Sequence, residues 1–374
     1  MRKVLYIIDS LQIGGAERSI LDIASHLRCF QPVICHIYRN DSLKPEYLDR
    51  GIPVISLDID SSYHFIKAYR AIKDVLKKEK PDLVVATLFR SEVLSRMACR
   101  AMHIPNVGTF VNDTYSRYGR QSLTAMAKLK VDFLWILNTF TARFCIGFLS
   151  NGVSIKESNC KALFIPPHKV HVVYRGRQKN QFKFWERQLK HRMIKFLAVG
   201  RLVSRKGFED LLHAFHLYVE QFPGATLTIA GQGPLRERLE EMITAYSLGG
   251  KVHLLGTVMQ IPELINNHDV LVFPSHYEGF SGVVVEAMFS GIPIIASDIP
   301  MNQEAIEHQR TGWLFPVKEV NGLLEAMVWM TQNFVDAQLF AREAYKVAEE
   351  RFAIEIIAQQ HDTYYNKVLK ELGL

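Results

Sequence analysis

Residues Val270 to Ser297 read VLVFPSHYEGFSGVVVEAMFSGIPIIAS, and this stretch decides the fold. Leu271 to Phe273 are apolar and stop at Pro274, which marks a short buried strand. His276-Tyr277-Glu278-Gly279-Phe280-Ser281-Gly282 follows as a loop, with glycines where a backbone turns tightly or approaches a ligand. Val283 to Phe289 is apolar on nearly every side, so the pattern predicts a helix buried against a sheet. Gly291 suits that helix's C-terminal cap, and Pro293 opens the next strand. A loop that leaves a strand and feeds a helix N-terminus offers unpaired N–H groups to an anion. Glu278 and Glu286 flank it. Carboxylates repel a phosphate but accept hydrogen bonds from neighbouring hydroxyls. The stretch therefore predicts a sugar at one end, a phosphate in the middle and a ribose diol at the other.

Upstream, the strand Ile194 to Val199 leads into Gly200-Arg201-Leu202-Val203-Ser204-Arg205-Lys206-Gly207 and then the helix Phe208 to Glu220. Arg201, Arg205 and Lys206 make this a basic loop, which either meets an anion or is simply solvated. Ala225 to Ala230 is a strand running into Gly231-Gln232-Gly233-Pro234. Position 236 is Arg and Pro234 intrudes, so this is a poor nicotinamide-dinucleotide fingerprint.

Glu278 and Glu286, with seven residues between them, resemble the E-x7-E motif of the retaining GT-B glycosyltransferases of family 4. EGFSGVVVEAMFSGIPIIAS is similar to that family's signature along most of its length, and Gly200 to Gly207 resembles its G-R-L…K-G segment. Gly14-Gly15-Ala16-Glu17-Arg18, after the strand Val4 to Ile8 and before a helix expected over Ser19 to Leu27, resembles the family's G-G-A-E-R loop. Two glycines there either open backbone N–H groups to a phosphate or sugar or make an ordinary strand-to-helix turn.

The resemblance implies a GT-B fold, two doubly wound Rossmann-like α/β domains facing across a cleft. Residues 1–180 would form an acceptor-side domain, 191–350 the nucleotide-sugar donor domain, and 351–374 a helix crossing back, with a linker over Gln178 to Lys190. It implies sugar transfer from a nucleoside diphosphate sugar, first a UDP-sugar and second a GDP-sugar, to a hydroxyl of a glycan or lipid-linked glycan. Arg201 and Lys206 would hold the diphosphate, with Gly14 and Gly15 on the donor side. The Gly279-Phe280-Ser281 backbone would meet phosphate and sugar, Glu278 the sugar hydroxyls, Glu286 the ribose and the Val258 backbone the base. Rival readings are a sugar-nucleotide epimerase on the same fold and a non-catalytic sugar-nucleotide-binding subunit.

The sequence departs from the family at two places. Many relatives carry a His after the strand Val107 to Val111; here Asn112-Asp113 stands there, as catalytic or hydroxyl-binding residues or as a turn cap. Tyr174 to Lys179 does not match the family's usual N-G-V-D-like segment.

The strand–helix alternation over 374 residues, 48% of them apolar, fits two domains with parallel sheets. Five cysteines without a C-x-x-C argue for a reducing compartment and against structural zinc. Asp58-Ile59-Asp60 lies far from the donor residues, and no cofactor or metal is expected. No signal peptide or membrane-spanning run is visible, which places the chain in the cytoplasm, with nucleic acid not expected as a partner.

Charge is uneven. Residues 1–180 carry 27 Lys and Arg against 15 Asp and Glu, and residues 181–374 carry 18 against 23. The basic half either meets an anionic partner or serves solubility. Tyr115 to Thr141 mixes aromatic and basic residues, with a helix expected over Lys128 to Phe140. Either this helix lies peripherally on an anionic membrane, or it turns its aromatic face to the core.

Overall fold

The computed structural model describes residues 1–60, 64–112, 115, 125–187 and 193–374; within these, nothing is said of the side chains of residues 125, 127, 128 and 130. The chain divides into two compact units, residues 1–177 with 354–374, and residues 178–353.

The first unit carries strands β1 (Arg2–Ile8), β2 (Phe30–Tyr38), β3 (Val54–Ile59), β4 (Leu83–Thr87), β5 (Asn106–Phe110), β6 (Gly147–Ser150) and β7 (Val170–Val172). Helices α1 (Gly15–Ala24), α2 (Lys44–Asp49), α3 (Phe65–Glu79), α4 (Phe89–Met102), α5 (Ala125–Ala142) and α6 (Val153–Leu163) alternate with them. The strands form one parallel sheet in the order β3-β2-β1-β4-β5-β6-β7. β1 shows why this sheet is covered on both faces. Val4, Tyr6 and Ile8 join one apolar cluster and Leu5 and Ile7 join another, so successive side chains enter opposite layers.

The second unit repeats the plan with β8 (Lys195–Val199), α7 (Phe208–Gln221), β9 (Thr226–Ala230), α8 (Arg236–Ala245), β10 (Val252–Gly256), α9 (Ile261–Asn266), β11 (Val270–Phe273), α10 (Gly282–Ser290), β12 (Ile294–Ser297), α11 (Pro300–Gln303), β13 (Trp313–Phe315), α12 (Val320–Gln332) and α13 (Phe334–Arg351). Its parallel sheet runs β10-β9-β8-β11-β12-β13. The last helix, α14 (Ile354–Lys370), belongs to the first unit. Its Tyr365 hydroxyl meets that of Tyr6 at 3.1 Å, and Asp362 accepts the Arg28 N–H at 2.7 Å.

Two sequence expectations change. α1 begins at Gly15, four residues earlier than Ser19, because Glu17 folds back over the helix start; the buried Glu17 carboxylate occupies the space above Gly14 and accepts N–H bonds there. Of the polar run expected as a linker, residues 178–187 are held in place, and residues 188–190 lie outside the described residues. Arg187 is 4% exposed and donates to the carbonyls of His268 (2.8 Å), Ser290 (3.1 Å) and Gly291 (2.7 Å). Burial pulls its guanidinium down to about 10. Its charge meets the last carbonyls of α10, where a cation is favoured.

In both sheets the strand order reverses once, between β1 and β4 and between β8 and β11. Doubly wound sheets bind ligands outside the strand ends at such a reversal.

Candidate active site

The loops that leave β8 and β11 lie side by side at the reversal of the second sheet. After β8 the chain turns through Gly200 and Arg201, makes a single 3-10 turn over Ser204–Lys206, and enters α7 from Gly207. Gly207 has φ +67°, and a Cβ there would stand 2.1 Å from the Pro274 carbonyl. Only glycine lets these two loops touch. Gly231, at φ +154°, is required for a similar reason: its Cβ would fall 1.7 Å from the Gly200 carbonyl. The G-x-G at 231–233 thus supports the Arg201 loop by close packing.

The two loops are also joined by side chains. His276 Nε2 lies 2.6 Å from Asp210 Oδ2, the His276 N–H donates to the Arg205 carbonyl at 2.8 Å, and the Arg205 guanidinium sits 5.1 Å above the Tyr277 ring. This clasp places Lys206 against Glu278. Both side chains are nearly covered, at 13% and 12% exposure, and form an ion pair. The Lys206 ammonium meets Glu278 Oε1 directly. The Lys206 ammonium also lies 5.1 Å from the Phe273 ring centre.

Gly279 and Ser281 carry the loop into α10, with Ser281 as the N-cap and no side-chain cap bond at that position. The first amides of α10 therefore face the reversal point without a side-chain acceptor of the cap. Phe280 is 2% exposed and packs its ring 5.2 Å from that of Phe352, so only its backbone is offered to a ligand. Glu286 lies half-buried one helical turn beyond Gly282. Val258 follows β10 at the far edge of the same strand ends, near the Gly231–Gly256 bridge. The second unit therefore brings Arg201, Lys206, Glu278, Gly279, Phe280, Ser281 and Glu286 to the loops at one reversal point, with Val258 to one side.

The first unit places Gly14, Gly15 and Asn112 at its own strand ends. A Cβ on Gly15 would meet the Arg175 guanidinium at 2.9 Å, so Glu17 and Arg175 fill the space above the two glycines. Asn112 is exposed, and its carbonyl accepts from Asn159 Nδ2 at 3.0 Å. Asp113 lies outside the described residues.

Beside Asn112 opens a cavity of about 510 Å³, lined by apolar side chains including Phe65, Phe110 and Phe133. Asp9, which follows β1, reaches it and accepts bonds from the Ser91 N–H (2.9 Å) and hydroxyl (2.5 Å). Burial pushes the Asp9 carboxyl above the usual range, against those two bonds. Behind it Glu92 meets Arg96 at 2.8 Å, Arg96 donates to Asn138 at 2.5 Å, and Asn138 donates to Tyr115 at 2.9 Å. Leu88, at the head of α4, holds φ +75°, a conformation costly for a leucine. Sequence reading passed over Asp9; its only signal is an acid placed directly after a buried strand.

The profile described as Glycosyltransferase Family 4 matches residues 13–179, and that described as Glycosyl transferases group 1 matches residues 179–347. The chain belongs to this family of glycosyltransferases. An uncharacterized glycosyltransferase of Methanocaldococcus jannaschii is 30% identical to the transferase over 59% of its chain and 60% of the relative. A UDP-Gal:alpha-D-GlcNAc-diphosphoundecaprenol alpha-1,3-galactosyltransferase of Escherichia coli is 27% identical over 80% of this chain and 77% of its own. Among solved structures, Anabaena HepE in complex with UDP-glucose superposes with a TM-score of 0.84 at 21% identity, covering 98% of the transferase and all of HepE. Sucrose-phosphate synthase from Thermosynechococcus elongatus gives 0.83 at 19% identity over 99% of the transferase and all of the synthase. These likenesses establish the GT-B fold.

Proposed function

We propose that the transferase moves a sugar from a UDP-sugar, with a GDP-sugar as second choice, to a hydroxyl of a glycan or lipid-linked glycan, with retention at the anomeric carbon. The observation that carries this reading is the Lys206–Glu278 ion pair at the reversal of the second sheet. In the free site the two charges neutralise each other. A donor exchanges that pair for two others: its diphosphate takes Lys206 and Arg201, and its sugar hydroxyls take Glu278. Glu286 receives the ribose diol and Val258 the base.

As the bond from anomeric carbon to phosphate oxygen breaks, its electron pair leaves with the diphosphate. Lys206, Arg201 and the first amides of α10 stabilise that growing charge. The acceptor oxygen bonds to the same face of the anomeric carbon, and its proton passes to the departing phosphate oxygen. Asn112 and Asp113 would orient the acceptor hydroxyl. Two fixed cations supply the neutralisation that a divalent ion gives other transferases, so turnover in EDTA is part of the reading. The preference for uridine is supported by the names of the Escherichia coli relative and of the HepE complex. The former's name, with its diphosphoundecaprenol, supports a lipid-linked glycan, and the names of an amylovoran and a capsular polysaccharide biosynthesis glycosyltransferase support a place in polysaccharide synthesis.

The test is a thermal-shift screen of UDP-, GDP- and ADP-sugars followed by product analysis. Binding at a hundred times Kd stabilises by about 2.7 kcal/mol. Release of the nucleoside diphosphate only with acceptor present, and an anomeric configuration that matches the donor's, are expected. An isomerised sugar nucleotide, or absolute dependence on added metal, would sink the proposal.

A further inference from the structure

α5 is apolar around most of its circumference: its 18 residues, AMAKLKVDFLWILNTFTA, hold only Lys128, Lys130 and Asp132 as charges. A helix of this kind needs cover on both sides. The first unit covers one side. Trp135 donates to the Ala162 carbonyl at 2.6 Å, Asn138 is buried against Arg96, and Ala142 is buried. The other side stands open. Met126, Leu129, Phe133, Ile136 and Phe140 recur at intervals of three and four, and each is at least 53% exposed.

The stripe continues beyond the helix at both margins. Phe164 caps α6, its ring 6.3 Å from that of Trp135, and is 75% exposed at φ +54°. That left-handed cap is ordinarily Gly or Asn, so an aromatic held there and turned to solvent marks a surface with a use. Phe133 and Phe65, both exposed, also line the cavity that holds Asp9 and Asn112. Phe133 thus belongs both to the stripe and to the cavity wall. The sequence around the stripe is basic. Residues 125–169 include Lys128, Lys130, Arg143, Lys156, Lys161 and Lys169 against Asp132 and Glu157. The Arg143 guanidinium sits 4.8 Å above the Phe140 ring.

We propose that α5 and the Phe164 corner seat the transferase on an anionic lipid bilayer, and that the cavity receives the sugar of an acceptor tethered to that bilayer. The stripe enters the acyl boundary while basic side chains meet the headgroups. A second copy of the chain is the weaker occupant. The stripe spans two heptads where a helical seam needs about three or four, and α5 lacks alternating charges to pair across such a seam. The bilayer half stands on exposure and charge; the cavity half rests on the transferase reading.

The experiment uses the full chain. Co-sedimentation is measured with phosphatidylcholine vesicles and with mixed phosphatidylcholine–phosphatidylglycerol vesicles, at low salt and at about 1 M salt, where screening reaches about 3 Å. Wild type should bind only the anionic vesicles and release at high salt. Leu129→Ser with Ile136→Ser, and separately Lys128→Glu with Lys130→Glu, should each weaken binding roughly tenfold or more while leaving the UDP-glucose thermal shift unchanged. Absence of vesicle binding, or equal binding to neutral vesicles, overturns the seat. A lipid-free dimer that the Leu129→Ser, Ile136→Ser variant splits overturns it too and assigns the face to a second copy. Donor binding without vesicle binding leaves the transferase reading intact; vesicle binding without donor binding keeps the seat and removes the acceptor cavity.

Discussion

The strand ends of the two units hold their polar groups in opposite ways. In the second unit polar side chains are clasped to one another across two adjacent loops and the start of α7, with Lys206 against Glu278 and His276 against Asp210. They are held ready to be exchanged. In the first unit charged groups are set into the wall of a largely apolar cavity and tied to neighbours: Asp9 to Ser91, and Glu92 to Arg96 in a buried chain reaching Tyr115. Those groups shape a wall rather than present a charge. A site that takes a nucleoside diphosphate needs ions that can be exchanged from one partner to another; a site that takes a less charged, partly apolar ligand needs rigid walls with few polar contacts.

The largest effect that tests this contrast is Lys206→Ala. It should reduce kcat/KM by about 10²–10³, roughly 2.7–4 kcal/mol, with most of the loss in kcat. Steady-state kinetics with donor and acceptor varied separately will show it; a loss confined to the acceptor KM would break the assignment of the two units.

Acid sensitivity should reside in the first unit. Burial in α14 lowers His361 to about 4 from an ordinary 6.5, so the unfolded chain binds its proton first as pH falls. The His361 contribution is whole above about pH 6.5, and up to roughly 3 kcal/mol is lost by about pH 4. Urea titrations across that range should show the decline, and His361→Asn should flatten it. An equally steep decline in the variant would move the sensitivity elsewhere.

Two tenfold effects sharpen the comparison further. Glu286→Ala should raise the donor KM about tenfold with a smaller change in kcat, because a ribose contact is alike in ground and transition states. Asp9→Asn should raise the acceptor KM by about the same factor and leave the donor KM alone. If the two variants affect the same substrate, the separation of roles is wrong. The smallest effect belongs to the clasp. Asp210→Asn keeps a hydrogen-bond acceptor for His276 but removes its charge, and should lower kcat a few-fold, about 1 kcal/mol, without moving the melting temperature by more than the surface-substitution norm.

What could be read in advance follows the same division. Glu278 and Glu286 are nine positions of one loop and helix, so their relation is local and visible in the chain. The strand alternation was equally visible, since each buried strand is a continuous apolar run. Asp9 was not, because its meaning depends on Ser91, 82 positions away, and on the strand reversal that brings them together. The Gly14–Gly15 loop looked open because sequence cannot show that Glu17 and Arg175 fill the space above it. The face that α5 buries was undecidable for another reason. Trp135 goes inward while Phe133 and Phe140 go outward, and a helix apolar nearly all round carries no periodicity to tell them apart.

The return of α14 to the first unit sets an order of events at the ribosome. Ile354, Ile357, Tyr364 and Tyr365 cover the layer built on Val4, Tyr6 and Ile8, yet they are made only after the second unit. The whole of residues 178–353 emerges in between and can fold as a unit of its own. At about 5–20 residues per second, one face of the nascent first sheet waits for roughly ten to thirty-five seconds before its cover exists. A stop codon just before Ile354 would leave residues 178–353 whole while that face of the first sheet stays uncovered.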